Sequence, residues 1–149
     1  MTEVEAFTDG ACLGNPGPGG WAALLRSQGK QRLLAGGEAD TTNNRMELMG
    51  AIAALEALTR ACQVRLVMDS KYVMKGIEQW VPRWCANGWK TADRKPVKNQ
   101  DPWERLDAAA GRHQIRWEWV KRHAGYAVNG LVDDAAREQA VRFKDGANA

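Results

Sequence analysis

The sequence predicts an α/β fold: a five-stranded mixed sheet, three antiparallel strands and then two parallel ones, flanked by helices. Two observations lead there. Residues 4–35 hold period-two segments joined by short Gly- and Pro-rich connections, which is the pattern of an antiparallel meander. From Asn44 onward, segments rich in Ala, Leu and Met alternate with strand-like ones, and strands separated by helical crossovers pair in parallel. The coarse order that results is βββαβααβα, and one domain accounts for the 149 residues.

In Val4–Asp9 the residues Val4, Ala6 and Thr8 alternate with Glu5, Phe7 and Asp9, a strand that ends in a carboxylate. Gly10 to Gly20 then carries five glycines and two prolines in eleven residues. That composition suits a tight, partly rigid loop with accessible amides. Trp21–Arg26 is the second strand, Gln28-Gly29-Lys30 a turn and Gln31–Ala35 the third strand, ended by Gly36-Gly37. Thr41-Thr42-Asn43-Asn44 supplies helix caps, and a helix follows from about Asn44 to Thr59. Glu47 shares a stripe with Ala51, Ala54 and Leu58, so an acid sits on an apolar face, while Glu56 falls on the opposite, solvated side.

Val64–Asp69 is the fourth strand and again ends in Asp. Ser70 caps a helix from Lys71 to Gln79, and a short helical piece runs from Pro82 to Gly88. Residues 89–99 are polar, basic and aperiodic, hence a loop. Asp101-Pro102-Trp103-Glu104 reads as cap, Pro at N1 and Glu at N3 of a helix that stops at Gly111. Ile115, Trp117 and Trp119 alternate along a fifth strand, with Trp21, Trp117 and Trp119 assigned to the core. Asn129 caps a last helix through Phe143 with the apolar stripe Val132, Ala136, Ala140 and Phe143, and 144–149 is a frayed tail.

Hydrophobic residues make up 44% and charged residues 26%, ordinary for a globular chain, and the net charge of +3 announces no global field. The local picture differs. Between Arg83 and Lys98 five bases (Arg83, Lys90, Arg94, Lys95, Lys98) face one acid, Asp93. The N-terminus has no basic and apolar signal pattern, and no run of about 18 apolar residues occurs. A cytoplasmic protein with no membrane contact is expected. Cys12, Cys62 and Cys85 are widely spaced, which suits a reducing compartment and offers no zinc pattern. Size alone suggests a monomer.

Two strands end in Asp9 and Asp69, and open α/β sheets bind ligands beyond the carboxyl ends of their parallel strands. Glu47 projects from a helix that must pack on that sheet, and Asp133 lies near the start of another helix. If the four meet, each pair of charges at about 4 Å repels by some 4 kcal/mol at an effective dielectric of about 20. Protonation or a hard cation must then relieve them, and oxygen-only ligands suit Mg²⁺ or Mn²⁺. Such a cluster suits two-metal phosphoryl chemistry. Taken singly, an Asp at a strand end is also an ordinary turn residue, Asp133 also an acid favouring a helix N-terminus, and His123 also a surface loop residue. Periodicity does not show that the acids meet.

Five blocks of sequence resemble bacterial ribonuclease H type 1, in that family's order and over most of residues 4–140: 7–20, Thr-Thr-Asn-Asn-Arg-Met-Glu-Leu at 41–48, Asp-Ser-Lys-Tyr-Val at 69–73, Gly-Trp-Lys-Thr-Ala at 88–92 with Pro-Val-Lys-Asn at 96–99, and Trp-Val-Lys-Arg-His-Ala-Gly at 119–125. The resemblance implies a ribonuclease H-like fold of order βββαβαβα. It implies Asp9, Glu47, Asp69 and Asp133 as catalytic, metal-binding carboxylates. His123 would assist proton transfer or product release. The activity implied is Mg²⁺- or Mn²⁺-dependent hydrolysis of RNA paired with DNA, leaving 3′-hydroxyl and 5′-phosphate ends, with the RNA–DNA hybrid as partner. Family positions that touch the RNA strand match the Cys12–Asn15 loop, including Gly14, together with Asn15, Asn43 and Asn44. Thr42 and Asn99 match a pocket for a DNA phosphate, and Trp80 matches a residue packed on DNA sugars. Lys90, Lys95 and Lys98 would add cationic contacts.

The chain departs from the family in three places. Cys85-Ala86-Asn87 replaces a basic cluster of the best-known members, which shifts reliance to Lys90, Arg94, Lys95 and Lys98. Tyr126–Gly130 replaces the usual His-Pro-x-Asn-Glu, and Asp40 stands where some relatives place an arginine. A DNA nuclease or integrase-like transferase of the same fold is the first rival reading, and a binding module without catalysis the second. The intact acidic set argues against the latter.

Overall fold

The computed structural model describes residues 2–89, 97–121 and 127–147. Its elements are β1 (Thr2–Cys12), β2 (Gly17–Ser27), β3 (Lys30–Thr41), α1 (Asn43–Glu56), β4 (Cys62–Met68), α2 (Lys71–Lys75), a π-helical turn (Gly76–Trp80), α3 (Val81–Ala86), α4 (Gln100–Ala110), β5 (Gln114–Trp119) and α5 (Ala127–Ala147). The strands lie in the order β3-β2-β1-β4-β5. β1 and β2, and β2 and β3, pair antiparallel, while β1 and β4, and β4 and β5, pair in parallel. Among the described residues no helix is long and apolar enough to cross a membrane.

Period-two alternation sorts the strands into two buried faces. Val4, Ala6, Ala23, Leu25, Val64 and Leu66 pack with Leu48, Ile52 and Leu55 of α1 and with Trp103 and Leu106 of α4. Phe7, Ala22, Leu24 and Val67 pack against Val132 and Ala136 of α5. Each large side chain so buried contributes roughly 1.5–3 kcal/mol, so the two helical layers hold the sheet from both sides. The far end of the sheet is wet. There Arg65 of β4 bridges Glu5 and Glu118 at 2.7 Å each, and Arg65 holds the Glu118 carboxyl below its usual range.

The structure corrects several expectations. β3 runs through Gly36-Gly37 to Thr41 instead of ending there. These glycines mark close approach: a Cβ on Gly36 would lie 2.5 Å from the Trp21 ring, and one on Gly37 would lie 2.3 Å from the Gly19 carbonyl. β2 starts at Gly17 and includes Pro18. A register shift between Gly17 and Gly19 places this proline at an irregularity, where a missing N–H is tolerated. The glycine-rich loop therefore shrinks to Leu13–Pro16, with Leu13 donating to the Pro18 carbonyl at 2.7 Å.

The two predicted pieces after Ser70 form a continuous helical run. It widens to a π turn in which the Val81 N–H reaches back to the Gly76 carbonyl, directly ahead of Pro82, which has no N–H to donate. α4 begins at Gln100 after Asn99, which adopts φ 56°, so Asp101 is not its cap. Pro102 still falls in the first turn, where amides lack intrahelical partners. α5 already runs from Ala127 and continues to Ala147. Asn129 is therefore inside the helix, since Ala127 and Val128 do not break it, and residues 144–147 continue it. Trp103, not Trp119, is the fully buried indole, and Trp119 is 39% exposed because the strand ends beyond the helical cover.

Candidate active site

Two neighbouring parallel strands bring the first two acids to one edge. Phe7 of β1 is in register with Val67 of β4, and two residues further on each chain comes Asp9 and Asp69. Glu47 arrives from the other side. Thr42 caps α1 by accepting from the Arg45 N–H at 3.3 Å, which sets Glu47 in the second turn, over the end of β1. Gly10 makes that approach possible: a Cβ there would stand 2.5 Å from the Glu47 nitrogen. The Gly10 N–H donates to Asp9 Oδ1 at 2.8 Å and to Glu47 Oε1 at 3.2 Å, fixing both carboxylates.

Ligand oxygens of Asp9, Glu47 and Asp69 all lie within 4.8 Å of one another. Asp133 joins from α5. It is 7% exposed, lies beside Asp9, whose proton affinity it raises, and forms an ion pair with Arg137 Nη2 at 3.3 Å. The helix starts at Ala127, so Asp133 lies beyond the first turn, where a macrodipole effect has faded. Its burial beside another acid is the better account.

Burial, and then the charge of Asp69, push the Asp9 carboxyl up to about 7. Burial, and then Asp9, raise Glu47 well above the carboxylate range. With Asp9 and Glu47 both raised, the metal-free cluster relieves its repulsion by holding protons. A hard divalent cation is the other relief. The donor set, carboxylate oxygens only, fits Mg²⁺ or Mn²⁺ rather than a metal that prefers sulfur or imidazole.

A cleft of about 980 Å³ opens over the acids. It brings together Asp9, Cys12, Asn43, Asn44, Glu47 and Asp69. Asn15 Oδ1 accepts from the Asn43 N–H at 3.2 Å, tying the Leu13–Pro16 loop to the start of α1. The Cys12 thiol points into the strands, towards the Gly17 and Thr41 carbonyls. Gly14 takes φ 97° at the loop tip. Thr42 spends its hydroxyl on the cap. Asn99 donates to the Tyr72 hydroxyl at 3.3 Å, and Trp80 stacks 5.5 Å from Tyr72 and 5.9 Å from Trp84. Lys98 is exposed. His123, Lys90 and Lys95 lie outside the described residues.

The cleft also holds Lys71, Trp119, Lys121 and Arg137, which sequence reasoning passed over. Arg137 was findable, four residues after Asp133 on one helix face. Lys71 stands two residues after Asp69.

A ribonuclease H family model matches residues 1–141. The ribonuclease H of Paracoccus denitrificans (strain Pd 1222) is 58% identical over 97% of this chain and 96% of its own length. That of Escherichia coli O139:H28 is 59% identical over 95% of this chain and 91% of its own length. Among solved structures, LC9-RNase H1, described as a type 1 RNase H with the type 2 active-site motif, superposes with a TM-score of 0.86 at 30% identity, covering 96% of this chain and 74% of that one. With a matching sheet order and relatives of this closeness along nearly its whole length, the chain belongs to the ribonuclease H family, among its bacterial type 1 members, enzymes that degrade RNA paired with DNA.

Proposed function

We propose that this chain hydrolyses the RNA strand of RNA–DNA hybrids at Asp9, Glu47, Asp69 and Asp133 with two divalent cations, leaving 3′-hydroxyl and 5′-phosphate ends. One observation carries the proposal: three carboxylates from separate segments lie within 4.8 Å, two of them, Asp9 and Glu47, with proton affinities raised by burial and by neighbouring carboxylates. Mg²⁺ is the expected ion, with Mn²⁺ able to substitute. When bound, it supplies charge neutralisation, activation of water and stabilisation of the leaving oxygen. The chain's own part is orientation. Gly10 holds Asp9 and Glu47 in place, and Arg137 steadies Asp133. His123 assists proton transfer or product release.

RNA is distinguished from DNA through the 2′-hydroxyl. The main chain of Cys12–Asn15, with Asn43 and Asn44, supports that role, because the loop and the helix start are joined beside the acids. Thr42 and Asn99 take a phosphate of the DNA strand, Trp80 packs on its sugars, and Lys90, Lys95 and Lys98 add contacts that weaken with salt. The chain works as a single domain and a monomer in the cytoplasm, removing RNA primers and hybrid loops. The test is a labelled panel of hybrid, duplex DNA, duplex RNA and single strands with Mg²⁺. Selective loss of the hybrid's RNA supports the reading, and equal cleavage of duplex RNA or of DNA contradicts it.

A further inference from the structure

β3 lies at the edge of the sheet, and among the described residues no strand pairs with its outer side. Every second N–H and C=O along it therefore faces outward. The hairpin fixes which ones. Gln28 and Gly29, at φ 53° and 77°, form a two-residue turn closed by the Ser27–Lys30 pair, and such a closing pair exchanges both ladder hydrogen bonds. From there the ladder alternates. Lys30, Arg32, Leu34 and Gly36 bond to β2, while Gln31, Leu33, Ala35 and Gly37 present their main-chain groups outward. The register is unbroken as far as Glu38 and shifts beyond it. Arg32, Leu33 and Ala35 are exposed, Leu33 to 46%. Among the described residues Arg32 forms no ion pair. Glu38 uses Oε2 for Arg45 and for the Thr41 hydroxyl, and among the described residues its Oε1 has no hydrogen bond.

The geometry points to a second copy of this chain as the occupant of that edge: two β3 strands pair antiparallel about a twofold axis at Ala35 and join two sheets into one. Three features select this partner and this register. With Ala35 opposite itself, outward main-chain groups meet outward groups, at Ala35–Ala35 and at Leu33–Gly37. Arg32 of each copy then stands opposite Glu38 of the other, at the closer spacing of about 4.5 Å between Cα atoms. Both lie on the α1 face of the sheet, the face of Leu25, to which Arg32 is paired. One sequence thus supplies two opposite-charge pairs, each from a cation and a carboxylate oxygen left open within the chain. Leu33, on the α5 face with Leu24, falls opposite a glycine. A Cβ on Gly37 would lie 2.9 Å from the Phe143 ring, so the exposed leucine of one copy meets an aromatic edge of the other. A slip of two residues one way sets Arg32 against Gly36. The other way sets Glu38 against Leu34 and carries the pairing into the register shift beyond Glu38. The contact is isologous and closes on itself, so assembly stops at a dimer. Two exposed ion pairs on a short strand pair make a weak interface: the monomer prevails in dilute solution and the dimer in concentrated solution.

Sedimentation equilibrium over about 10 µM to 1 mM protein tests this. The mass of the wild-type protein is expected to climb from one chain towards two, and to climb less at high salt. Arg32→Glu sets acid against acid at both pairs and is expected to raise Kd by at least about fivefold. Ala35→Pro removes an outward N–H that β2 does not use, at an edge position where proline is tolerated. It is expected to abolish the dimer while far-UV circular dichroism and hybrid cleavage in dilute solution match wild type. A readout without substitution accompanies these. In wild-type protein, NMR-resolved amide exchange is expected to slow with rising concentration at Leu33, Ala35 and Gly37, and to stay constant at Arg32 and Leu34, whose N–H groups already bond to β2. Protein that keeps the mass of one chain at the highest concentration overturns the proposal. So does a dimer whose Kd is indifferent to Arg32→Glu and Ala35→Pro, or one that leaves exchange at those three outward amides unchanged.

Discussion

Removing a proposed catalytic acid should make the metal-free protein more stable. Asp9 is 6% exposed, and its carboxyl titrates near 7 instead of at its ordinary 3.8 because of burial and the neighbouring Asp69 charge. A group raised in the folded state contributes its stability below the ordinary carboxylate range and loses it as pH rises through about 7. Each tenfold change in proton affinity is worth about 1.4 kcal/mol, so full ionisation costs the native state on the order of 4 kcal/mol. Asp9→Asn keeps the shape and an oxygen for the Gly10 N–H, which now donates to Asp9 Oδ1 at 2.8 Å, but never ionises. We expect the variant to gain about 2–4 kcal/mol over wild type at pH 8 in EDTA, about 5–15 °C in Tm for a chain of this size. The gain should shrink towards zero near pH 4, where Asp9 is neutral in the folded wild type and only about half ionised in the unfolded chain. Added Mg²⁺ should close part of the gap at pH 8 by stabilising wild type more. Urea unfolding at the two pH values reads all of this. A variant no more stable than wild type at pH 8, or one equally more stable at pH 4, would refute the reasoning.

Other outcomes follow from the same geometry. Gly10→Ala should push α1 off the end of β1, since its Cβ meets the Glu47 backbone; we expect destabilisation of about 1–3 kcal/mol and a steep fall in kcat, and normal turnover would contradict the placement of Glu47. His113 Nδ1 accepts from the Cys62 N–H at 3.1 Å and therefore donates from Nε2 to the Leu55 carbonyl at 3.2 Å, joining α1, β4 and the approach to β5. His113→Ala should cost about 1–3 kcal/mol in chemical unfolding with hybrid cleavage intact. The Thr8 hydroxyl is buried without a hydrogen-bond partner among the described residues, so Thr8→Val should leave stability unchanged or raise it by up to about 1–2 kcal/mol, measured by Tm.

The strands, the helices and their order were legible because each follows a local period. So was the oddity of Glu47, an acid on an apolar stripe. What local pattern could not carry was contact across the fold. Gly36-Gly37 reads as a stop, yet the strand continues because the Trp21 ring and the Gly19 carbonyl fill the space a side chain would need. Trp119 shares the alternation of Ile115 and Trp117, but the helical cover ends before it and the residue becomes part of the cleft rim. Asp133 reads as a helix-start acid until the helix is seen to begin at Ala127. That Asp9, Glu47 and Asp69 share one point required β1, β4 and α1 to be placed together; no spacing between residues 9, 47 and 69 encodes it. The family motifs supplied the expectation, and the close approach at Gly10 supplies the physical reason.

The account's central claim is a carboxylate-held metal centre that cuts RNA within a hybrid. Strand-resolved cleavage of a hybrid labelled on both strands, with Mg²⁺, with EDTA and with Mg²⁺ restored, tests it most directly, alongside Asp69→Asn. The account predicts that the RNA strand alone is cut, to products bearing 5′-phosphates, that EDTA abolishes cutting and Mg²⁺ restores it, and that Asp69→Asn lowers kcat by at least about 10²–10³-fold. Cleavage that persists in EDTA, or wild-type turnover by Asp69→Asn, would contradict it.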